Sequence, residues 1–287
     1  MKLAYTLPFR PDITNNLFKL TIQKSRSLVL ISCFALMFSA CSRTTEVQNI
    51  EVEIWRDGKI LTCSTFETQQ QPWSIQQLAF FVSNLRLIND KNTQTAILGS
   101  SPWQAENVVL IKPYLPDCAT NSAADVGIAA ETLTSNHNLQ FLAPVDLDHY
   151  QQLSFTLAVP FELNHENPLQ QPSPLNLPSM FWSWRAGHKF FRLDMQGPSN
   201  NWAFHLGSVG CTAASTMRTP ENECVQPNRV SFKLPKKADG TKLVLHLDRL
   251  IANTPMQSDD SCLFHQGQQS CATLMSNLQN HDVFEWH

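Results

Sequence analysis

Apolar and polar residues alternate with period two along much of the chain, the pattern of strands with one buried face. Val52-Glu53-Ile54-Trp55, Leu153-Ser154-Phe155-Thr156-Leu157 and Val230-Ser231-Phe232-Lys233-Leu234 show it directly. Leu243, Leu245 and Leu247 share one face of a further strand, as do Phe191, Leu193 and Met195, and again Trp202, Phe204 and Leu206. The run Leu78 to Ile88 is apolar without clear alternation and suits either a strand or a short helix. Asp57-Gly58 and Asp239-Gly240 supply turns between strands. No heptads or internal repeats appear. The pattern predicts an all-β domain of about ten strands, a β-sandwich or irregular β-barrel with long loops.

One stretch departs from this rhythm. Between Phe161 and Pro178 lie four prolines, Pro168, Pro172, Pro174 and Pro178, which a central strand does not accommodate. A long ordered loop is expected there, and such loops inside compact domains are often functional. It leads into Met180-Phe181-Trp182-Ser183-Trp184. Were Trp182 and Trp184 in one strand, the two indoles would share a face. Periodicity alone favours a core or aromatic-cluster role for both.

The N-terminus changes the picture again. Lys24 and Arg26 precede thirteen uncharged residues, Leu28 to Ala40. That is too short to span a bilayer, which takes about 20, and it has the parts of an export signal. Phe38-Ser39-Ala40-Cys41 resembles a bacterial lipobox, which makes Cys41 the lipidation site. Ser42 follows it in place of the aspartate that retains lipoproteins at the inner membrane, so a periplasm-facing anchor in the outer membrane is expected. The organisation is then a signal over 1–40, a polar tether over 41–48 and one domain over 49–287.

Charge narrows the partners. Five basic groups and one acid fall within residues 1–40, which leaves 16 basic and 23 acidic groups, a net −7, in the remainder. An acidic body disfavours nucleic acid and suits a cation. Six cysteines remain besides Cys33 and Cys41, and an even number in an exported chain implies disulfides. Fifteen pairings are possible and the sequence does not choose among them. Nearest neighbours give Cys63–Cys118, Cys211–Cys224 and Cys262–Cys271. A thiolate metal site is the competing reading, but zinc sites usually show close Cys-x-x-Cys pairs and none is present.

Enzyme signatures are poor. Gly207-Ser208-Val209-Gly210-Cys211 is not a nucleophile elbow, and no phosphate-binding glycine loop occurs. A hydrolase has no specific support, and a non-catalytic protein is expected. The nine histidines include no i, i+4 pair, so any metal site must be assembled from distant segments.

Several segments, in order, resemble the MbnP family, the four-Cys member of a metallo-mystery pair. They are Leu78-Ala79-Phe80-Phe81-Val82-Ser83-Asn84-Leu85-Arg86-Leu87, Leu163-Asn164-His165, and Phe181-Trp182-Ser183-Trp184-Arg185-Ala186-Gly187-His188-Lys189-Phe190. Then come Phe204-His205-Leu206-Gly207-Ser208 with Cys211, Cys224 with Pro227-Asn228-Arg229, and the Cys262 and Cys271 pair. The resemblance implies a strand at Leu78–Ile88. It also implies an exported copper-binding protein, acted on by a di-haem enzyme of the cytochrome c peroxidase/MauG type. That enzyme oxidises the first Trp of the Trp-x-Trp motif to kynurenine, here Trp182, with Trp184 as a positioning or relay neighbour.

An indole N–H only donates, so intact Trp offers a metal no nitrogen lone pair. Opening the pyrrole ring leaves an aryl amine that does. Copper, as Cu(I), takes nitrogen and soft sulfur donors, and the amine plus two imidazoles would suffice. His165 and His205 are the expected imidazoles, since both lie in family-like segments. His188 stands where the family more often has an aromatic, and Met180 and Met195 are possible soft ligands. The alternative is a structural or ligand-binding lipoprotein that uses the Trp182/Trp184 surface for hydrophobic or carbohydrate contacts.

Overall fold

A computed structural model describes residues 49–96, 98–118, 135–257, 260–263, 269–280 and 282–287. The signal of residues 1–40, the Cys41 lipidation site and the 41–48 tether lie outside the described residues. The chain forms β1 (Asn49–Arg56), β2 (Lys59–Ile60), β3 (Thr65–Thr68), β4 (Gln71–Ile88), β5 (Thr93–Thr95), β6 (Gln104–Ala105), β7 (Val108–Ile111), β8 (Asn138–Gln140) and β9 (Gln152–Leu157). A short helix α1 (Phe161–Asn164) follows, then β10 (Phe181–Ser183), β11 (Gly187–His188), β12 (Phe191–Gln196), β13 (Asn201–Leu206), β14 (Val230–Pro235) and β15 (Lys242–His246). The chain closes with α2 (Leu247–Leu250), α3 (Gln269–Gln279) and β16 (Phe284–Trp286).

These strands make two main sheets and one small hairpin. The larger sheet is organised on β4, which pairs with β3, β7 and β5 along one edge and with β12 and β9 along the other. β13 adds to β12 and β14 adds to β9. The smaller sheet runs β16-β15-β1-β2, with β8 also on β1, and its β1–β15 pair is parallel. Neither sheet closes into a barrel, so the all-β expectation holds in its sandwich form.

Alternation explains which faces meet. Leu153, Phe155 and Leu157, then Phe191, Leu193 and Met195, then Val230, Phe232 and Leu234 are all buried. Phe284 of the smaller sheet inserts its ring among Phe232, Phe155 and Phe80 of the larger, with centroids 4.9, 5.3 and 5.8 Å away. β4 is buried on both faces through Leu78–Ser83, which is why its sequence does not alternate. One face, with Phe80, meets the sandwich interior. Phe81 on the other face contacts the ring of His188 at 5.7 Å. Leu247 opens α2 instead of extending β15. The proline-rich stretch is an ordered connection that starts with α1 and ends in a 3-10 turn at Pro178–Met180.

Candidate metal centre

The connection from α1 and the β10–β11 hairpin together cover the outer face of the larger sheet. Three disulfides join Cys63 to Cys118, Cys211 to Cys224 and Cys262 to Cys271. The second closes the loop over residues 211–224. That loop grips the hairpin turn through the Arg185 amide donating to the Thr216 carbonyl, and grips the end of α1 through the Thr219 hydroxyl donating to the His165 carbonyl.

Phe181 pairs with His188, and Ser183 with Gly187, so Trp182 is the extra residue of a β-bulge. Bulges re-aim side chains. Trp184 lies in the turn beyond the strand. Trp182 and Trp184 therefore do not occupy one regular strand, and the period-two rule, which needs an unbroken strand, does not put their indoles on one face. Trp182, half-buried, lies across Gly207. A Cβ there would sit 2.3 Å from its ring and 2.9 Å from the His188 carbonyl oxygen. The Lys189 ammonium stands 5.9 Å from the Trp182 ring centroid. Burial, with Arg192 nearby, lowers the Lys189 pKa, and Asp194 opposes them. Trp184 borders an open cleft of about 810 Å³ between itself and the 212–222 loop.

His165 is fully buried at the end of α1. Its Nδ1 lies 3.0 Å from the Trp184 carbonyl oxygen and its Nε2 lies 3.0 Å from the Asn164 carboxamide nitrogen. The Asn164 orientation is fixed independently, since its Oδ1 accepts the His188 backbone N–H at 2.7 Å. The Asn164 amino group therefore donates to Nε2, which makes Nδ1 the protonated nitrogen and leaves the Nε2 lone pair facing inward. Cys224 Sγ lies 3.6 Å from that Nε2. Burial holds the His165 pKa below the usual imidazole value, opposed by the Trp184 carbonyl and Glu223.

His205 sits on the outer face of β13, opposite Arg192 of β12. Its Nε2 contacts Asp194 Oδ1 at 2.5 Å, and the Arg192 guanidinium donates to Asp194 Oδ2 at 2.6 and 2.7 Å. Burial raises the Asp194 pKa, but the hydrogen bond and charge of His205 and the Arg192 guanidinium outweigh it and hold the carboxyl below its usual range.

His188, also fully buried, has both ring nitrogens against carbonyls: Nδ1 at 3.1 Å from Asn164 and Nε2 at 2.8 Å from Leu175. Desolvation lowers its pKa to about 4, so it is neutral at pH 7. A neutral ring donates to only one of these carbonyls, but both nitrogens lie against carbonyl oxygens, which leaves neither open to a metal. Met195 is buried with Phe191 and Leu193, on the face of β12 opposite Asp194, and Met180 is buried at the end of the 3-10 turn.

His165 and His205 thus belong to separate hydrogen-bond networks, yet each ties one nitrogen to an oxygen acceptor; the other nitrogen of His165 accepts from the Asn164 amino group. Metal-ligating histidines usually show this arrangement. Asn164 and Asp194, which hydrogen-bond these two histidines, are positions that the sequence did not single out. The β12–β13 register, with His205 opposite Arg192, is the signal that could have found Asp194.

The MbnP family model matches residues 44–269 of this chain. Among solved structures, MbnP from Methylosinus trichosporium is similar over 80% of this chain and 86% of its own, with a TM-score of 0.65 and 19% sequence identity. No curated protein matches.

Proposed function

The chain belongs to the MbnP family, and from that premise we propose that it is an exported copper-binding protein whose site forms when Trp182 is oxidised to kynurenine by a di-haem partner enzyme. It is the substrate of that maturation and a carrier of the ion in copper homeostasis, not a catalyst. The observation that carries the reading is the contrast among the three histidines. His165 and His205 each keep one ring nitrogen outside their oxygen hydrogen bond, which at His165 accepts from the Asn164 amino group, whereas both nitrogens of His188 lie against carbonyl oxygens.

Trp182 suits a residue that is remodelled after folding. It is half-buried at a bulge, and Gly207 beneath it leaves space a side chain would fill. Ring opening removes one carbon, adds one oxygen and exposes an aryl amine. His165 Nε2, His205 Nδ1 and that amine are the donors proposed for Cu(I), and binding at His165 displaces the Asn164 amino group. Export and anchoring through Cys41 agree with three disulfides, which persist in oxidising compartments. A second reading makes Trp184 and its cleft a surface for an organic ligand.

The test is protein made with its di-haem partner and copper, followed by mass analysis of the peptide that carries Trp182. Kynurenine at Trp182, and tight copper lost in Trp182→Phe, are expected. Full copper retention in Trp182→Phe overturns the assignment.

A further inference from the structure

We propose an alternative metal site, latent in the Cys211–Cys224 disulfide and exclusive with the kynurenine site because both use His165 Nε2: once that bridge is reduced, Cys211, Cys224 and His165 form a Cys2His site for Cu(I) or Zn(II). The Sγ atoms of Cys211 and Cys224 and a ring nitrogen of His165 all lie within 4.8 Å of one another, the one such group of His, Cys, Asp and Glu ligand atoms among the described residues. Metal–sulfur and metal–nitrogen distances of about 2.3 and 2.0 Å put two donors on one tetrahedral ion about 3.5 Å apart. Cys224 Sγ and His165 Nε2 are 3.6 Å apart. One edge of a coordination polyhedron therefore exists before any ion arrives.

The imidazole is in the right state for this. The Trp184 carbonyl accepts a hydrogen bond from Nδ1–H, so the Nε2 lone pair faces both the Asn164 amino group and the sulfur. A disulfide sulfur has no proton to give that lone pair and no charge to attract an ion. A thiolate has the charge, and thiolate with imidazole selects soft and borderline ions.

Access runs through Cys211, which is half-exposed, whereas Cys224 is buried. One thiolate of a dithiol reductant attacks Cys211 Sγ. The Cys211–Cys224 bond breaks and Cys224 leaves as the thiolate. The second thiol of the reductant resolves the mixed disulfide, so Cys211 is freed and the reductant ends as its own cyclic disulfide. Two electrons have passed to the protein, and the ion displaces the protons still held by the two sulfurs. The Asn164 amino group gives up Nε2 as the ion enters.

The site does not depend on kynurenine, so it is tested in protein whose Trp182 is shown by mass to be intact. Chain reduced with a dithiol, freed of reductant without oxygen, is titrated with Co(II), whose sulfur-to-metal absorption reports thiolate ligation. Affinity for Cu(I) is then measured against a chromophoric chelator. We expect one tightly bound equivalent in the reduced chain and none in the oxidised chain. Binding should be lost in the Cys211→Ser/Cys224→Ser variant and weakened more than about tenfold in His165→Ala.

Equal binding by the double serine variant would assign the ion to the other thiols and overturn the proposal. An unchanged spectrum and affinity in His165→Ala does the same. So does a reduced chain that keeps its circular dichroism yet takes no ion, or one that loses its fold on reduction.

Discussion

Asn164 stands between two buried histidines and treats them differently: its amino group donates to His165, and its side-chain and backbone oxygens face His188. Gly187, at φ 76°, makes room for that carboxamide, since a Cβ there would fall 2.5 Å from it. His188 in the folded protein takes a proton only near pH 4, against 6.5 when unfolded. Between those values the unfolded chain binds more protons, so stability rises with pH; it is complete above about 6.5 and lost towards 4. The contribution is up to about 3 kcal/mol, to be read as the difference between urea unfolding at pH 7.5 and at 4.5. His188→Gln should flatten that slope. Gly207→Ala is expected to cost about 1–3 kcal/mol and to tilt Trp182, because the clashing groups are a rigid ring and a backbone carbonyl. Urea unfolding with tryptophan emission checks it, and an unperturbed variant contradicts the packing. The sequence pointed to His165 and His205 as candidate imidazoles, but Asn164 and Asp194 became visible as their partners only once the chain was folded.

Strands with one wet face announced themselves: β9, β12, β13 and β14 alternate as the sequence predicts. β4 did not, because both its faces are covered and burial erases the period. The β10–β11 hairpin is not legible in the sequence for another reason. One extra residue at Trp182 and a turn at Trp184 break a rule that assumes regular pairing. The 211–224 loop holds that hairpin from outside, and its bridge spans 13 residues where Cys63–Cys118 spans 55. Chain entropy then predicts losses of about 3 and about 4 kcal/mol for the respective double serine variants. Denaturant midpoints give the comparison. Loss of the shorter bridge should also free the turn that carries Trp184, seen as faster amide exchange at Arg185.

The sandwich as a whole depends on its last strand. Phe284→Ala should cost about 3–5 kcal/mol, since its ring meets Phe80, Phe155 and Phe232 from the opposite sheet. A loss under 1 kcal/mol in thermal or urea unfolding would contradict that placement. The sequence named most of the residues on these faces, but not which sheet each joins, since apolar faces do not specify partners. Least legible was the parallel pairing of β1 with β15, in which Glu51 meets Lys242 and Trp55 meets His246. That pairing sets an order of events in time. Chains emerge N-terminus first, at about 5–20 residues per second, so β1 waits on the order of 10–40 s for the partner that completes it, and the smaller sheet is closed only when the chain is nearly finished.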